Sequence, residues 1–237
     1  MSLRMALPSA SRACWTSRSV RAAFLLHPWF DGLLVLADNL GSGADAVMGP
    51  GAGTDHLAGL LPARPPGRAL DLGCGAGSLA LLAARRGATR SLGVDLNPRA
   101  IEIANANARL NALDAQFLVG DGVEPVKGET FDLVLSQPPF VARPAAQAPR
   151  TFLDGGARGD ELPLRFMAEA ARVLGPGGRA MILVQAPEDG AGADTLNITA
   201  GSYIFTADAG ASNPGGTALS LSNDAAVTFA APQRLGS

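Results

Sequence analysis

Apolar strands and amphipathic helices alternate from residue 65 to residue 187, which predicts an α/β fold: a doubly wound, mostly parallel sheet with helices on both faces. Two further observations agree. A glycine-rich turn, "GCGAG", joins a short buried strand to a helix, and three acids, Asp71, Asp95 and Asp121, close three successive strands. Acids at three strand ends in order point to a binding site more than to solvated loops.

"RALDLG" (68–73) is the first buried strand, and beyond the glycine turn "SLALLAARRG" reads as a helix closed by Gly87 at its C-cap. "RSLGVDL" is the second strand. The following helix, 97–113, has Asn97 as N-cap and Pro98 in its first turn, with Ile101, Ala104, Ala108 and the later leucines on one face. "AQFLVGD" and "FDLVLSQ" are strands three and four. "ELPLRFMAEAARVLG" is a long amphipathic helix stopped by "PGG", and "RAMILVQA" (179–186) is strand five. Upstream, residues 23–60 hold a possible strand, "GLLVLAD", and a Gly-rich connector. After Pro187 the chain turns to Gly, Ala, Ser, Thr and Asn with almost no charge. "SYIFTA", "TALSLS" and "AVTFAA" are strand candidates there, the last two as a hairpin across "NDA". Four segments follow: a flexible start (1–22), a lead-in (23–64), a core (65–187) and a β-prone tail (188–237).

The bulk properties narrow the function classes. A chain of 237 residues, 47% hydrophobic and 17% charged, suits one well-buried domain with appendages. Net charge of −2 supplies no global basic field for nucleic acid, and no run approaches the ~20 apolar residues of a membrane span. Cys14 and Cys74, with His27 and His56, form no metal-ligand spacing and suit a reduced, cytoplasmic setting. The first thirty residues carry Arg4, Arg12, Arg18 and Arg21 and no acid, a composition shared with transit peptides and with unstructured starts.

The strongest local signal is "ALDLGCGAG". Its strand ends at Asp71, and Gly73, Gly75 and Gly77 occupy alternate positions before the helix. Such glycines let the backbone approach a ligand closely, and the helix N-terminus adds amide donors. The dinucleotide fingerprint G-x-G-x-x-G is absent, because Ser78 stands at its sixth position. Asp95 sits where a carboxylate accepts both hydroxyls of a ribose, and Asp121 where one receives an adenine amino group.

These residues resemble those of the class I S-adenosylmethionine-dependent methyltransferases, from about Asp31 to Pro187. The resemblance implies a Rossmann-like fold and S-adenosyl-L-methionine as cofactor. By it, Asp71 and the glycines Gly73, Gly75 and Gly77 hold the methionine end, Asp95 the ribose, and Asp121 with Gly122 the adenine, with Cys74 and Leu96 also among the cofactor-binding residues. Cys74 is then a small loop residue and no nucleophile.

The same resemblance accounts for "SQPPF". Methyltransferases of planar nitrogens carry a polar residue, two prolines and an aromatic after the fourth strand. Gln137 and a proline carbonyl then accept from the target NH₂, Pro138 and Pro139 hold the backbone rigid, and Phe140 stacks on the planar group. No strong general base is required, since the sulfonium is already an excellent leaving group.

The closest likeness is to the methyltransferase small domain group, with its release-factor glutamine and ribosomal-RNA guanine-N2 enzymes. "DNLGSGADAVMGPGAGTDHLAGLL" resembles the lead-in placed over the cofactor, and "RTFLDGGARGDEL" its Gly-rich segment. Asp154 and Asp160 are expected to cap the helix near Glu161. Arg143, Arg150 and Arg158 form the one local basic cluster, suited to phosphate or to solvent.

Two departures stand out. Gln137 is a methylene longer than the usual Asn. The tail is unlike the helix and hairpin that normally complete this fold, so it either supplies the last strands unusually or is foreign to the fold. An N-terminal recognition domain of the kind related enzymes carry is not evident, as in a truncated copy. The expected activity is methyl transfer to a planar amide or exocyclic amine of a protein glutamine or small molecule. Transfer to an RNA base, and a cofactor-binding remnant with weak catalysis, remain as alternatives.

Overall fold

The computed structural model describes residues 24–39, 43–65, 67–142, 153–157 and 159–183, with short strands at 195–196, 202–207, 217–221 and 227–228. Two strands, β1 (Phe24–Pro28) and β2 (Leu34–Asp38), form an antiparallel hairpin around a helical turn at Phe30–Gly32, and α1 (Ala52–Leu60) follows. The central unit runs β3 (Arg68–Leu72), α2 (Ser78–Arg85), β4 (Arg90–Asp95), α3 (Pro98–Leu110), β5 (Ala115–Val119), β6 (Phe131–Ser136), α4 (Glu161–Val173) and β7 (Leu174–Ile182). Four short strands complete the description: β8 (Thr195–Leu196), β9 (Ser202–Ala207), β10 (Thr217–Leu221) and β11 (Val227–Thr228).

Five parallel strands in the order β7-β6-β3-β4-β5 make the body of the sheet, as the sequence predicts. Alternate side chains of the central strands face opposite layers. Ala69, Leu133, Leu135 and Met181 pack with α1, α2 and α3, whereas Leu70, Leu72, Val134, Ala180 and Ile182 pack with Phe166, Met167 and Ala170 of α4. The chain moves outward from β3 to β4 and β5, then crosses back to β6. The strand order therefore reverses between β3 and β6, and the crevice at their carboxyl ends is where a ligand fits in such sheets.

Local expectations are met at α3, where Asn97 Oδ1 accepts from Arg99 N at 3.0 Å. Ile101, Ala104 and Ala108 are buried, but Leu110 is exposed at the helix end. Strand five begins earlier than predicted. Leu174 pairs with Phe131, and "GPGG" then forms a bulged excursion before Arg179 pairs with Leu133. Residues 184–186 of that predicted strand lie outside the described residues, as do residues 1–23 and the arginines at 143, 150 and 158.

The predicted hairpin between "TALSLS" and "AVTFAA" does not form. β10 pairs antiparallel with β9, and β11 with β8, so each partner lies further back in the chain. β9 in turn pairs parallel with β7, which adds two tail strands to the sheet edge.

The lead-in hairpin, of which the sequence showed only the second strand, is held by a side-chain ladder. Leu34 N donates to Asn111 Oδ1 (2.9 Å) and Asn111 Nδ2 donates to Leu34 O (2.8 Å). One turn earlier, Leu36 N donates to Asn107 Oδ1 (2.7 Å), and Asn107 Nδ2 donates to Leu36 O and Ala76 O, both at 2.9 Å. Two carboxamides four residues apart, one in α3 and one at its C-cap, thus offer β2 the donor and acceptor pattern of a neighbouring strand. Asn107 is fully buried, so its loss strands three backbone groups. Asn107→Ala should destabilise the fold by about 2–4 kcal/mol and Asn111→Ala by about 1 kcal/mol or less. Urea unfolding at unchanged m-value measures both; equal costs would show that burial at Asn107 does not govern the ladder.

Candidate active site

The site is built on the carboxyl end of β3. Asp71 is buried, and its Oδ2 accepts from Ala80 N at 3.1 Å, in the first turn of α2. The N-cap of that helix is Gly77, at φ +81°, which has no side chain to offer. A side chain there would also strike Phe117, whose Cε1 lies 2.8 Å from the Cβ position. The acid in the strand therefore caps the helix that the glycine cannot. Burial pushes the Asp71 carboxyl up to about 7, only partly opposed by the Ala80 amide.

The glycine turn is anchored to the next strand, for Gly73 N and Cys74 N both donate to Val94 O, at 2.8 and 3.0 Å. Asp95 receives Gly75 N at 2.8 Å on Oδ2 and Asn97 N at 2.9 Å on Oδ1. Burial pushes its carboxyl up, while these two amides pull it down. Above Gly75 a Cβ would meet nothing within 4 Å, so open space for a ligand lies over the turn. The Cys74 thiol is buried and pushed well up by that burial, which agrees with a packing role.

One cleft gathers the predicted elements. It is lined by Asp71, Gly73, Cys74 and Gly75 from the turn, by Met48, Pro50 and Thr54 from the lead-in, and by Gln137 from the end of β6. Asp95 joins through its bond to Gly75 N. Leu96 is exposed just beyond it. Asp121 lies at the end of β5, exposed, where its carboxylate pairs with Arg165 of α4. Arg165 also donates to Glu169 at 2.9 Å, and Glu169 accepts from Val123 N at 3.2 Å. A side chain at Gly122 would land on Glu169.

Gln137 reaches across the cleft, and its Oε1 accepts from the Thr54 hydroxyl at 2.7 Å. Pro138 is buried, and Pro139 and Phe140 are half-buried. The glycine segment beyond packs on this motif. Cβ atoms at Gly155 and Gly159 would fall 2.7 Å from Phe140 Cα and 2.5 Å from Phe140 O. Val141 N donates to Leu153 O (2.9 Å) and Gly155 N to Val141 O (3.0 Å). Asp160 holds the N-cap position of α4 without a side-chain bond to its first turn, against expectation. Its backbone, at φ −101° and ψ −16°, is already helical and does not aim the carboxylate at those amides. Asp154 accepts instead from Gly156 N at 3.1 Å, inside its own loop.

Sequence reasoning missed Thr54 and Arg165. The spacing of Arg165 and Glu169, four residues apart on a helix, was the available signal for the second. His27 packs against Gly49, whose Cβ position is 2.5 Å from its Nε2. Among the described residues no group of acids, cysteines and histidines is arranged to hold a metal, and no helix is long and apolar enough to cross a membrane.

A doubly wound sheet with a glycine turn and three strand-end acids defines a class of cofactor-binding protein. The methyltransferase small domain profile matches residues 48–197, more than half of the chain, and the chain belongs to that family. It is similar to the release factor glutamine methyltransferase of Rhodospirillum rubrum, at 42% identity over 126 residues, 47% of this chain and 38% of that protein. The ribosomal protein L11 methyltransferase of Dechloromonas aromatica is 49% identical over 80 residues, 32% of this chain and 26% of that protein. The chain thus spans well under two thirds of the length of these curated relatives. Among solved structures, the SAM-dependent methyltransferase from Agrobacterium tumefaciens shares the fold with a TM-score of 0.52 at 16% identity, covering 86% of this chain and 70% of that one.

Asp71 makes the fold sensitive to pH. Its folded pKa lies near 7 against an ordinary 3.8, so between those values the unfolded chain holds the fewer protons. Stability from this group is full below about pH 4 and is lost as pH rises towards 7, by a few kcal/mol at most. In Asp71→Asn that fall should be absent while the cap to Ala80 N is kept. Unfolding free energies measured at pH 5 and pH 7.5 test this, and parallel curves for the two proteins would refute it.

Proposed function

We propose that this protein transfers a methyl group from S-adenosylmethionine to a planar amide nitrogen, that of a protein glutamine in preference to a small-molecule amide or an RNA base. The observation that carries the reading is the carboxamide of Gln137. It stands at the strand-order reversal in the same cleft as the glycine turn, and two prolines and an aromatic follow it. Both curated relatives described above bear names of enzymes that methylate proteins, and the net charge of −2 supplies no global basic field to draw RNA.

The donor set fits the cofactor. Asp71, Gly73, Cys74, Gly75 and Gly77 line or shape the methionine end. Asp95, already ordered by two backbone amides, would hold the ribose, with Leu96 beside it. Asp121 and Gly122 would hold the adenine, with Oδ1 of Asp121 already engaged by Arg165. When bound, S-adenosylmethionine supplies a methyl group on a sulfonium, which makes it electrophilic. The chain's own residues then have to orient an amine. Gln137 Oε1 and a proline carbonyl would accept its two hydrogens and leave the lone pair aimed along one direction. As N–CH₃ forms, the S–CH₃ bond breaks with its electron pair going to sulfur, and the nitrogen gives up one proton to water. Phe140 offers a flat face to the planar group, and the prolines keep the carbonyl from moving as the bond forms.

The test is transfer of tritium from labelled S-adenosylmethionine into cell-extract fractions split into protein, RNA and small molecules. Label in protein is expected. Gln137→Ala should lower turnover by roughly 10²-fold with cofactor affinity held within about threefold. Asp95→Ala should do the reverse and weaken cofactor binding by about 1.5–3 kcal/mol. Undiminished transfer in the Gln137→Ala, Phe140→Ala double variant would overturn the proposal, and binding without transfer into any fraction would favour a remnant.

A further inference from the structure

We infer that Thr54 is a positioning residue for Gln137, and that the pair replaces the shorter amide usual at this place. The inference rests on the transfer reading above but concerns a residue with no part in it so far. Gln137 leaves the end of β6 and crosses the cleft to the first turn of α1, where Oε1 accepts from Thr54 Oγ1 at 2.7 Å. The same hydroxyl lies 3.5 Å from Gly51 N, from which it accepts, so its proton is directed to the amide.

The surroundings fix the amide's orientation as well as its reach. Gln137 Nε2 lies over Gly53, where a side chain would fall on it. Leu183 Cδ2 is 2.7 Å from that same Cβ position, so the space over Gly53 is filled by these two side chains. Oxygen towards Thr54 and nitrogen over Gly53 is therefore the arrangement that the first turn of α1 imposes. A carboxamide oxygen has two acceptor sites. Thr54 uses one and thereby aims the other, so the substrate NH₂ meets an acceptor whose direction is already set.

A glutamine free at this position has three side-chain torsions to order at each turnover, one more than asparagine, and mispositioning of about 1 Å is enough to cost catalysis heavily. The bond to Thr54 removes that freedom before substrate arrives. An asparagine at 137 falls short of Thr54 by one methylene. The longer side chain and the hydroxyl opposite it therefore belong together.

The test uses the full chain with Thr54→Val, which keeps the shape and removes the hydroxyl, and Thr54→Ser, which keeps the hydroxyl. Thr54→Val should lower kcat about tenfold with KM for S-adenosylmethionine and the unfolding midpoint little changed, and Thr54→Ser should restore most of it. In a Gln137→Asn background Thr54→Val should have no further effect, since the contact is already gone. A second readout needs no turnover. The side-chain NH₂ of Gln137, assigned by its loss in Gln137→Ala, should be rigid by nuclear relaxation in the wild type and in Thr54→Ser, and mobile in Thr54→Val. Transfer by the wild type with unchanged kcat in Thr54→Val would overturn the positioning role and leave the function standing. Equal amide mobility in the wild type and Thr54→Val would overturn it whether or not the chain transfers methyl groups.

Discussion

The hydrogen bond from Ala80 N to the buried Asp71 carboxyl is the contact on which the site depends. A loop that must let a ligand lie against its backbone is built here of glycines, and the glycine at the N-cap, Gly77, offers no side chain to the helix that follows. The acid on the central strand resolves the conflict from below. It satisfies the helix start, leaves the loop surface clear, and ties β3, the turn and α2 into one unit. The turn's other anchors, Gly73 N and Cys74 N on Val94 O and Gly75 N on Asp95, extend the same unit to β4.

Over this floor the lead-in forms a roof, and the means of attachment are again polar side chains acting on backbone. Asn107 binds β2 on one side and the carbonyl of Ala76, in the glycine turn, on the other. Asp38, buried at the end of β2, is paired with Arg99 of α3, which holds its carboxyl below the usual range. Arg86, at the end of α2, reaches the carbonyls of Ala58 and Leu61 and the carboxylate of Asp31. Each bond links the roof to an element that also carries the floor. The relative position of Thr54 and Gln137 is in this way set by α2 and α3 as much as by α1 and β6.

The sheet and its helices were legible because their signals are local. Asn97 caps α3 as its sequence position says, and Leu70, Leu72 and Val134 alternate with Ala69, Leu133 and Leu135 as a buried strand must. The strand-end acids were legible because the parallel topology puts every strand's carboxyl end on one edge. What escaped the sequence was long-range and polar. Nothing about Asn107 and Asn111 within α3 says that they substitute for a β-strand 71 and 77 residues away. Strand β1 ends in a proline and carries exposed Phe24, Leu25 and Leu26, so it has no inside-outside alternation to read. Asp160 followed a sound rule for N-caps, but the rule needs extended backbone at that residue, and the loop after Phe140 leaves it helical. The tail's pairing was misassigned because proximity in sequence favours a hairpin, whereas β7 offers a free sheet edge.

The three acids also differ in a way that the sequence cannot express. Asp71 is buried and committed to a helix amide; Asp95 is half-buried, with one backbone donor on each oxygen; Asp121 is exposed and shared with a surface arginine. Along the strand ends from β3 through β4 to β5, solvent therefore gains access step by step. On the proposed reading this gradient suits the cofactor's chemistry. The sulfonium end would lie at the deep side, beneath the lead-in and next to Gln137, where fixed dipoles would replace water around the reacting atoms. The adenine end would lie at the open side, beside the exposed Asp121. On that reading a rigid bridge between Thr54 and Gln137 would be compatible with turnover, since exchange from the exposed β5 edge would not require the Thr54–Gln137 bond to break.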